Sequence, residues 1–467
     1  MTVQQIQALG PALSKYLEEF ADCFVSPDTR YHLKEYVKGQ LSDLPRKNVQ
    51  RIARLMDVPP RTLQEFLSLS EWDEDRLRDT LQRLVVRDHA EEQAIGIVDE
   101  SGHPKKGKKT ACVHHDYCGA SGKVDNCVMG VHVCYASFDG QFRAMLDSDL
   151  YIPEKGWNDP DRRKEAAIPP SVVYRGKHIM ALEQFARAVH NGVRFAWVTA
   201  DEWYGEKPVF IQGLEELGLR FVLEIPKNLM GWLYQPGDPD AKRGEVQNLV
   251  RWSGPMLRQE WVECHVKDTH KGPLVWEVRA APFWMKRDGK AVGPYWLVAT
   301  RDRLDQDTVK YFLSNAPAGV PLEVILHVGF SRWPVERTLE DQKSELGMSN
   351  FMVRKYPSVL RHLRITQVSH LFLARQTERL REKKTAGNDL PGASSDRCAA
   401  GCPDAASRGP QAAAGENRQR HPGRSEAKRR GQSITHQDAP EGVKGQGDPT
   451  RPASLLHPAA AGVALWD

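Results

Sequence analysis

Apolar residues recur at steps of three and four through most of residues 1–92, and the period changes near 93. LSKYLEEFADCF and DRLRDTLQRLVVRDHAEEQ carry the helical period most clearly, so the spacing predicts an all-helical N-terminal domain over 1–92. Between them, KNVQRIARLMDVPPRTLQEFLS (47–68) reads as a helix around 47–56, a DVPP turn and a second helix from about 61. Ala53, Val58, Leu63 and Phe66 fall where a helix-turn-helix packs its two helices together. Arg61, Thr62, Gln64 and Glu65 fall on or near the outer face, which makes Arg61 and Gln64 candidates for DNA contact. Asp57 stands in the turn where glycine is common, and an ordinary helical hairpin fits the same pattern.

From 93 onward the alternation is strand-like. AIGIVDE (94–100), NCVMGVHVCYAS (126–137) and QFRAMLDSDLYI (141–152) read as strands, the last two joined across Asp139–Gly140. A helix around 178–191, a strand in VRFAWVTADEWYG (193–205), a short helix and the strand FVLEI (221–225) follow. The expected fold class is α/β, a mixed sheet flanked by helices. Residues 226–304 are aromatic-rich strands with no long helix between them and read as a β-rich insertion. Helices are expected to resume near 305 and run to about 383, so that 93–225 and 305–384 form one domain. From 385 to 467 the chain is rich in Gly, Pro, Ala and Ser and lacks aliphatic periodicity. It reads as a disordered tail or the product of a shifted reading frame.

Composition narrows the function classes. The 467 residues suffice for two or three domains, and 27% are charged, yet the formal net charge is only +4. That excludes a histone-like polycation but not nucleic-acid binding, because the basic residues cluster in PKKGKK (104–109), RR (162–163) and KRR (428–430). No apolar run approaches the ~18 residues a membrane span needs. The first twenty residues lack the pattern of a signal peptide, and the eight cysteines are scattered. These features favour a cytoplasmic protein with no membrane partner. CVHHDYC (112–118) holds metal-capable residues but lacks the paired second half of a zinc site.

Three acids stand out by context. Asp99 is expected to end a strand whose Ile95 and Ile97 share its face, with the basic loop ESGHPKKGKK directly after it. Asp201 repeats the arrangement after Phe195, Trp197 and Thr199. Ligands of open α/β sheets collect at the carboxyl ends of strands, and two aspartates there make an oxygen-rich site suited to Mg²⁺ or Mn²⁺. Farther on, FSRWPVERTLEDQKSELGM (330–348) aligns Arg332, Glu336 and Lys343 within about 40° on one helical face, with Leu339 between them. A solvated salt-bridge stripe would look the same. Asp147, Asp149 and Glu340 are rival acids, and Trp203 and Tyr204 either pack on the sheet or stack on an unpaired base.

Taken together, IVDESGHPKKGKK, VTADEWYG and RWPVERTLEDQKSELGM resemble the three blocks of the DDE transposases of bacterial insertion sequences, over roughly residues 20–380. The third block is the most specific. The family signature is Tyr, two residues, Arg, three residues, Glu, six residues, Lys. Arg332, Glu336 and Lys343 keep that spacing, while the Tyr position is Gly329 and Phe330 is the nearest aromatic. The resemblance implies an RNase H-like core in which Asp99, Asp201 and Glu336 hold two Mg²⁺ or Mn²⁺ ions. It implies that Arg332 and Lys343 grip phosphates beside the scissile bond and that Lys105, Lys106, Lys108 and Lys109 lie against DNA backbone. It further implies cleavage and strand transfer at the terminal inverted repeats of an element, by a nucleoid-associated homo-oligomer that also engages target DNA. The long separation of Asp201 from Glu336 is what a β-rich insertion produces. A nuclease without strand transfer and an inactive DNA-binding remnant are the alternatives.

Overall fold

The computed structural model describes residues 7–269 and 272–388. Five helices open the chain: α1 (Leu9–Glu18), α2 (Pro27–Leu41), α3 (Val49–Leu55), α4 (Pro60–Ser68) and α5 (Glu74–His89). Strands β1 (Ile95–Pro104), β2 (His114–Cys118), β3 (Lys123–Ala136) and β4 (Arg143–Leu150) follow, then α6 (Pro160–Glu165) and α7 (Lys177–His190). Next come β5 (Trp197–Ala200), α8 (Glu202–Gly205), α9 (Pro208–Glu216), β6 (Phe221–Ile225), β7 (Met230–Trp232) and β8 (Gly244–Glu245). The chain continues through α10 (Val246–Trp252), α11 (Gly254–Leu257), β9 (Val262–Thr269), β10 (Gly272–Arg287), β11 (Lys290–Asp302) and β12 (Val309–Ser314). It ends in α12 (Leu322–Gly329), α13 (Trp333–Ser344) and α14 (Tyr356–Asn388). Past Asn388, the segment expected as a tail lies outside the described residues. No helix among the described residues is long and apolar enough to cross a membrane.

The helix pair predicted over 47–68 forms. The Asn48 side chain accepts from Arg51 N–H and caps α3. Asp57 takes the turn with φ +53°, a left-handed conformation that Asp tolerates better than most residues. Ala53, Leu63 and Phe66 are fully buried and Val58 nearly so, while Arg61 and Gln64 are exposed on α4. These helices share one core with the rest of the chain. Tyr36 Oη meets His362 Nδ1 at 2.8 Å, Gln40 Nε2 donates to Thr366 Oγ1 at 2.8 Å, and Tyr16 Oη donates to the Val368 carbonyl at 2.9 Å, all on α14.

One twelve-stranded sheet organises the remainder, in the order β2-β3-β1-β5-β6-β12-β11-β10-β7-β8, with β4 on β3 and β9 on β10. β1, β5 and β6 are parallel neighbours and the other pairs are antiparallel. The mixed α/β class expected from the sequence is therefore the observed one. Two expectations are corrected. Helices do not resume at 305: VKYFLS forms β12, which pairs with β6 through Tyr311 and Ile225. A short apolar run of this kind is a buried strand as readily as a helix turn. Through β12 the aromatic strands of the insertion extend the same sheet. Secondly, β1 does not end at Asp99. It continues against β3 to Pro104 because β3 supplies partners along its whole length, with Asp99 opposite His132 and Pro104 opposite Cys127.

Helices cover both faces. Val98, Val131, Phe185 and Leu223 belong to the core shared with α1–α5 and α7. Ile95, Ile97, Val335 and Leu339 belong to the core under α12 and α13. α14 reaches both clusters and is anchored by buried charge. The Arg364 guanidinium binds Asp147 and Asp149 of β4, and Arg187 of α7 binds the same two carboxylates at 2.8 and 2.5 Å. Burial alone would raise the proton affinity of Asp147, but Arg364 and Arg187 outweigh it and hold the carboxyl well below the usual range.

Candidate active site

Asp99 and Asp201 reach the same level of the sheet by register. β1 and β5 pair in parallel with Ile97 beside Thr199, and each aspartate lies two residues farther along its chain. Asp99 has the face of Ile95 and Ile97, the side covered by α13, because side chains alternate along a strand. β5 ends at Ala200, and Asp201 becomes the N-cap of α8, its Oδ1 accepting from Trp203 and Tyr204 N–H at 3.1 and 3.3 Å. Arg332 is the N-cap position of α13 and Glu336 lies in its first turn. Val335, Thr338, Leu339 and Gln342 form the buried face, so Leu339 seats the helix as the sequence predicts. The signature's Tyr position is closely packed. A Cβ at Gly329 would stand 3.0 Å from the Phe312 ring, and Phe330 packs on Trp276 and Phe312 instead.

The three carboxylates are coupled. Burial pushes the Asp99 carboxyl up to about 6. Arg332 and the Glu100 N–H pull the other way, and the Asp201 and Glu336 carboxylates add to the rise. Glu336 is more than half exposed, and Arg332 lies 3.8 Å from it and 3.5 Å from Glu224. Glu224 is itself held by Lys310 at 2.7 Å. Burial lowers the proton affinity of the Lys343 ammonium, and the nearby Asp99 carboxylate opposes this. Among the described residues no three His, Cys, Asp or Glu side chains are already gathered as a metal cage. The donor chemistry nevertheless fits a hard divalent cation, being all carboxylate oxygen with mutual repulsion that a cation would offset.

The rivals fall away for stated reasons. Asp147 and Asp149 are engaged by Arg187 and Arg364, and Glu340 is exposed and paired with Arg337 at 3.1 Å. His114 of CVHHDYC meets the Cys112 carbonyl and Asp116, with no metal cluster around it among the described residues. Tyr204 is buried against Phe210 and its hydroxyl donates to Glu100 at 3.4 Å. Trp203 stays partly exposed between Lys177 and Lys207, 5.7 and 4.9 Å from its ring centre.

Sequence reasoning passed over three residues at the site, Glu100, Lys177 and Glu224. Glu100 is half-buried, and Lys177 pairs with it at 2.5 Å on the sheet face opposite Asp99. Tyr204 joins them, and Glu224 orients Arg332. Only the Asp99–Glu100 adjacency was visible along the chain. Glu224 reaches the site through strand order, and Lys177 through the packing of α7 on the sheet. Gly205 shows how tight that packing is, since a Cβ there would lie 1.9 Å from the Glu224 carbonyl oxygen. Gly205→Ala is expected to cost about 2–3 kcal/mol by overpacking, read as a lowered unfolding midpoint, and to reduce activity by shifting the Asp201 cap against Glu224.

The basic loop divides by role. Lys105 is turned inward, donating to the Phe351 carbonyl at 3.0 Å and lying 3.3 Å from the Phe351 ring centre. Burial brings its ammonium down to about 7. Lys106, Lys108 and Lys109 are exposed, Lys109 with Glu165 at 3.3 Å. A groove of about 750 Å³ lined by Arg46, Lys105, Lys106, Lys109 and Arg354 runs from this loop to the N-cap of α3 at Asn48. No acid lines it among the described residues.

A mixed sheet with one carboxylate on a strand, a second just past the end of the adjacent parallel strand and a third on a helix beside them defines an RNase H-like fold with an acidic site. The profile of the DDE superfamily endonucleases matches residues 19–273, and the chain belongs to that superfamily. The match includes Asp99 and Asp201 and ends before Glu336. The chain is also 29% identical over 352 residues to a probable transposase for insertion sequence element IS701 from Microchaete diplosiphon, covering 74% of this chain and 83% of that protein.

Proposed function

We propose that this protein is a transposase that cuts DNA at the ends of an insertion sequence and joins them to target DNA, with Asp99, Asp201 and Glu336 as its catalytic acids. The observation that carries the proposal is the register of β1 and β5, which brings the two aspartates level while Glu336 is close enough to raise the proton affinity of Asp99. The transposase relative supports strand transfer in addition to cleavage.

The three carboxylates would hold Mg²⁺ or Mn²⁺, two ions on this reading. Bound there, the metal would supply Lewis acidity toward the scissile phosphate and toward the attacking and leaving oxygens. The protein's own groups do the positioning. Glu224 holds Arg332 at the mouth of the site, where its planar guanidinium suits a phosphate oxygen. Lys343, shielded from water near Asp99, supplies a positive charge whose effect is strengthened by its low-dielectric surroundings. Neither an enzyme nucleophile nor a covalent intermediate is required. Lys106, Lys108, Lys109, Arg46 and Arg354 would follow the DNA backbone, and Arg61 and Gln64 on α4 would reach base edges. Lys105 would order the loop from within. Two element ends and a target call for a homo-oligomer at the nucleoid.

The test is a plasmid carrying the gene and its flanks, incubated with the protein in Mg²⁺ or in EDTA. Mg²⁺-dependent cuts at both flanks are expected, with loss of at least about 10³-fold in Glu336→Gln and retained binding of the flanks. Equal cutting by wild type and Glu336→Gln would refute Glu336 as a ligand, and cuts without any joined product would reduce the protein to a nuclease. In the same assay Lys343→Met should lower the rate by about 10–100-fold, less than loss of an acid, because it removes one interaction of about 2 kcal/mol.

A further inference from the structure

The β-rich segment carries a second concentration of positive charge that the catalytic site does not use. A small cavity of about 250 Å³ lies between α10 and strands β10 and β11, lined by Arg251, Arg279, Arg301, Trp261 and Gln306. Arg279 and Arg301 are diagonal neighbours, since Arg279 pairs with Ala299 and Arg301 with Glu277. Their guanidinium carbons lie 4.6 and 4.5 Å from the Trp261 ring centre. Arg301 is tied to Glu277. Arg251 and Arg279 make no ion pair among the described residues, the Glu277 carboxylate acts on Arg279 only from the neighbouring position of its strand face, and no acid lines the cavity. The Arg279 Nε is buried without a hydrogen-bond partner.

Such an arrangement is costly on its own. Like charges on neighbouring side chains repel, and a buried N–H without a partner forgoes its hydrogen bond. An anion between the three guanidiniums would relieve both terms. Guanidinium forks match tetrahedral oxyanions in bidentate fashion, and the volume suits a phosphate group. The cavity is also at the catalytic end of the sheet. Arg301 pairs with Val309, next to Lys310, but successive side chains alternate, so Arg301 and Val309 lie on the α10 face of the sheet while Lys310, Glu224 and Asp99 lie on the α13 face. β11 is three strands from β5, roughly 14 Å at the usual inter-strand spacing. Because the cavity and Asp99 lie on opposite faces, DNA reaching the cavity from Asp99 rounds the end of the sheet, a path longer than this lateral spacing.

We propose that Arg251, Arg279 and Arg301 form a phosphate-binding site on the β-rich segment, occupied by a backbone phosphate of DNA leaving the catalytic centre. The DNA source rests on the function proposed above; the site itself does not. The test uses the full-length protein, a fluorescently labelled duplex and inorganic phosphate as probes. Duplex affinity is measured against salt for wild type, Arg279→Gln, Arg251→Gln and Arg83→Gln, the last an exposed charge-matched control on α5. Loss of one phosphate contact reduces the log–log salt slope by about 0.9. That reduction in Arg279→Gln and Arg251→Gln, but not in Arg83→Gln, supports the site with DNA as its source. Unchanged slopes, with phosphate raising the unfolding midpoint of wild type and not of the two pocket variants, support the site with free phosphate as its source. Unchanged slopes with no pocket-dependent effect of phosphate overturn it. Arg251 is exposed, so its variant keeps the test decisive if Arg279→Gln fails to fold. Wild type that binds duplex through the pocket yet makes no Mg²⁺-dependent cut would defeat the proposed function and leave the site standing.

Discussion

Asp99→Asn is expected to abolish DNA cleavage while making the protein more stable. The loss of activity follows from removing a ligand that contributes several kcal/mol of charge stabilisation, a fall of about 10³-fold or more. The gain in stability follows from burial. The Asp99 carboxyl is pushed up to about 6, first by desolvation and then by Asp201 and Glu336. The folded state therefore binds this proton more tightly than the unfolded chain does, where an aspartate titrates near 4. Above about pH 6 the ionised carboxylate costs the folded state ~2–3 kcal/mol, and the cost fades as pH falls from about 6 toward 4. Asparagine removes it. Thermal unfolding in EDTA should give Asp99→Asn the higher midpoint at neutral pH, with the difference closing near pH 4. A lower midpoint at neutral pH would mean that Asp99 serves the fold and not the chemistry. An active site that raises its own folding cost is the expected signature of selection for function over stability.

The second large effect belongs to the buried ion network. Arg364→Met is expected to destabilise the fold by about 3–5 kcal/mol, because it leaves Asp147 and Asp149 with the half-buried Arg187 as their one ion-pair partner among the described residues. The sign of the pH dependence is opposite to that of Asp99. The depressed Asp147 carboxyl contributes stability that is fully present above the ordinary carboxylate range and is lost as pH falls through it. Denaturant unfolding across acid pH should show wild type losing stability steeply and Arg364→Met varying less, from a lower starting point. A variant as stable as wild type at neutral pH would show that α14 is held by its apolar face alone. The network also explains why two strand acids close to the site in sequence are not candidates for its chemistry: they tie β4, α7 and α14 together.

The chain pattern alone determined a good part of this molecule. Period 3.6 marked α3 and α4 with their buried Ala53, Leu63 and Phe66, and the alternation of Ile95 and Ile97 assigned Asp99 to its sheet face. The spacing of Arg332, Glu336 and Lys343, with Leu339 inward, foretold one helix with a polar rim and a seated face. These features are local, since a few neighbouring residues and the geometry of one element suffice to set them. Tertiary structure decided what depends on partners distant along the chain. β1 runs past Asp99 because β3 pairs with it to Pro104, and VKYFLS is a strand because β6 lies open to it. Lys105 turns inward because the Phe351 carbonyl and ring lie there. Asp147 and Asp149 are structural because Arg364 arrives from more than two hundred residues away. Glu100 and Glu224 join the site through strand pairing and Lys177 through the packing of α7, and the three arginines of the β-rich segment meet only where β10, β11 and α10 pack. Pairing between strands and burial of charge are set by which surfaces meet in space, and no periodicity in one segment encodes its partner.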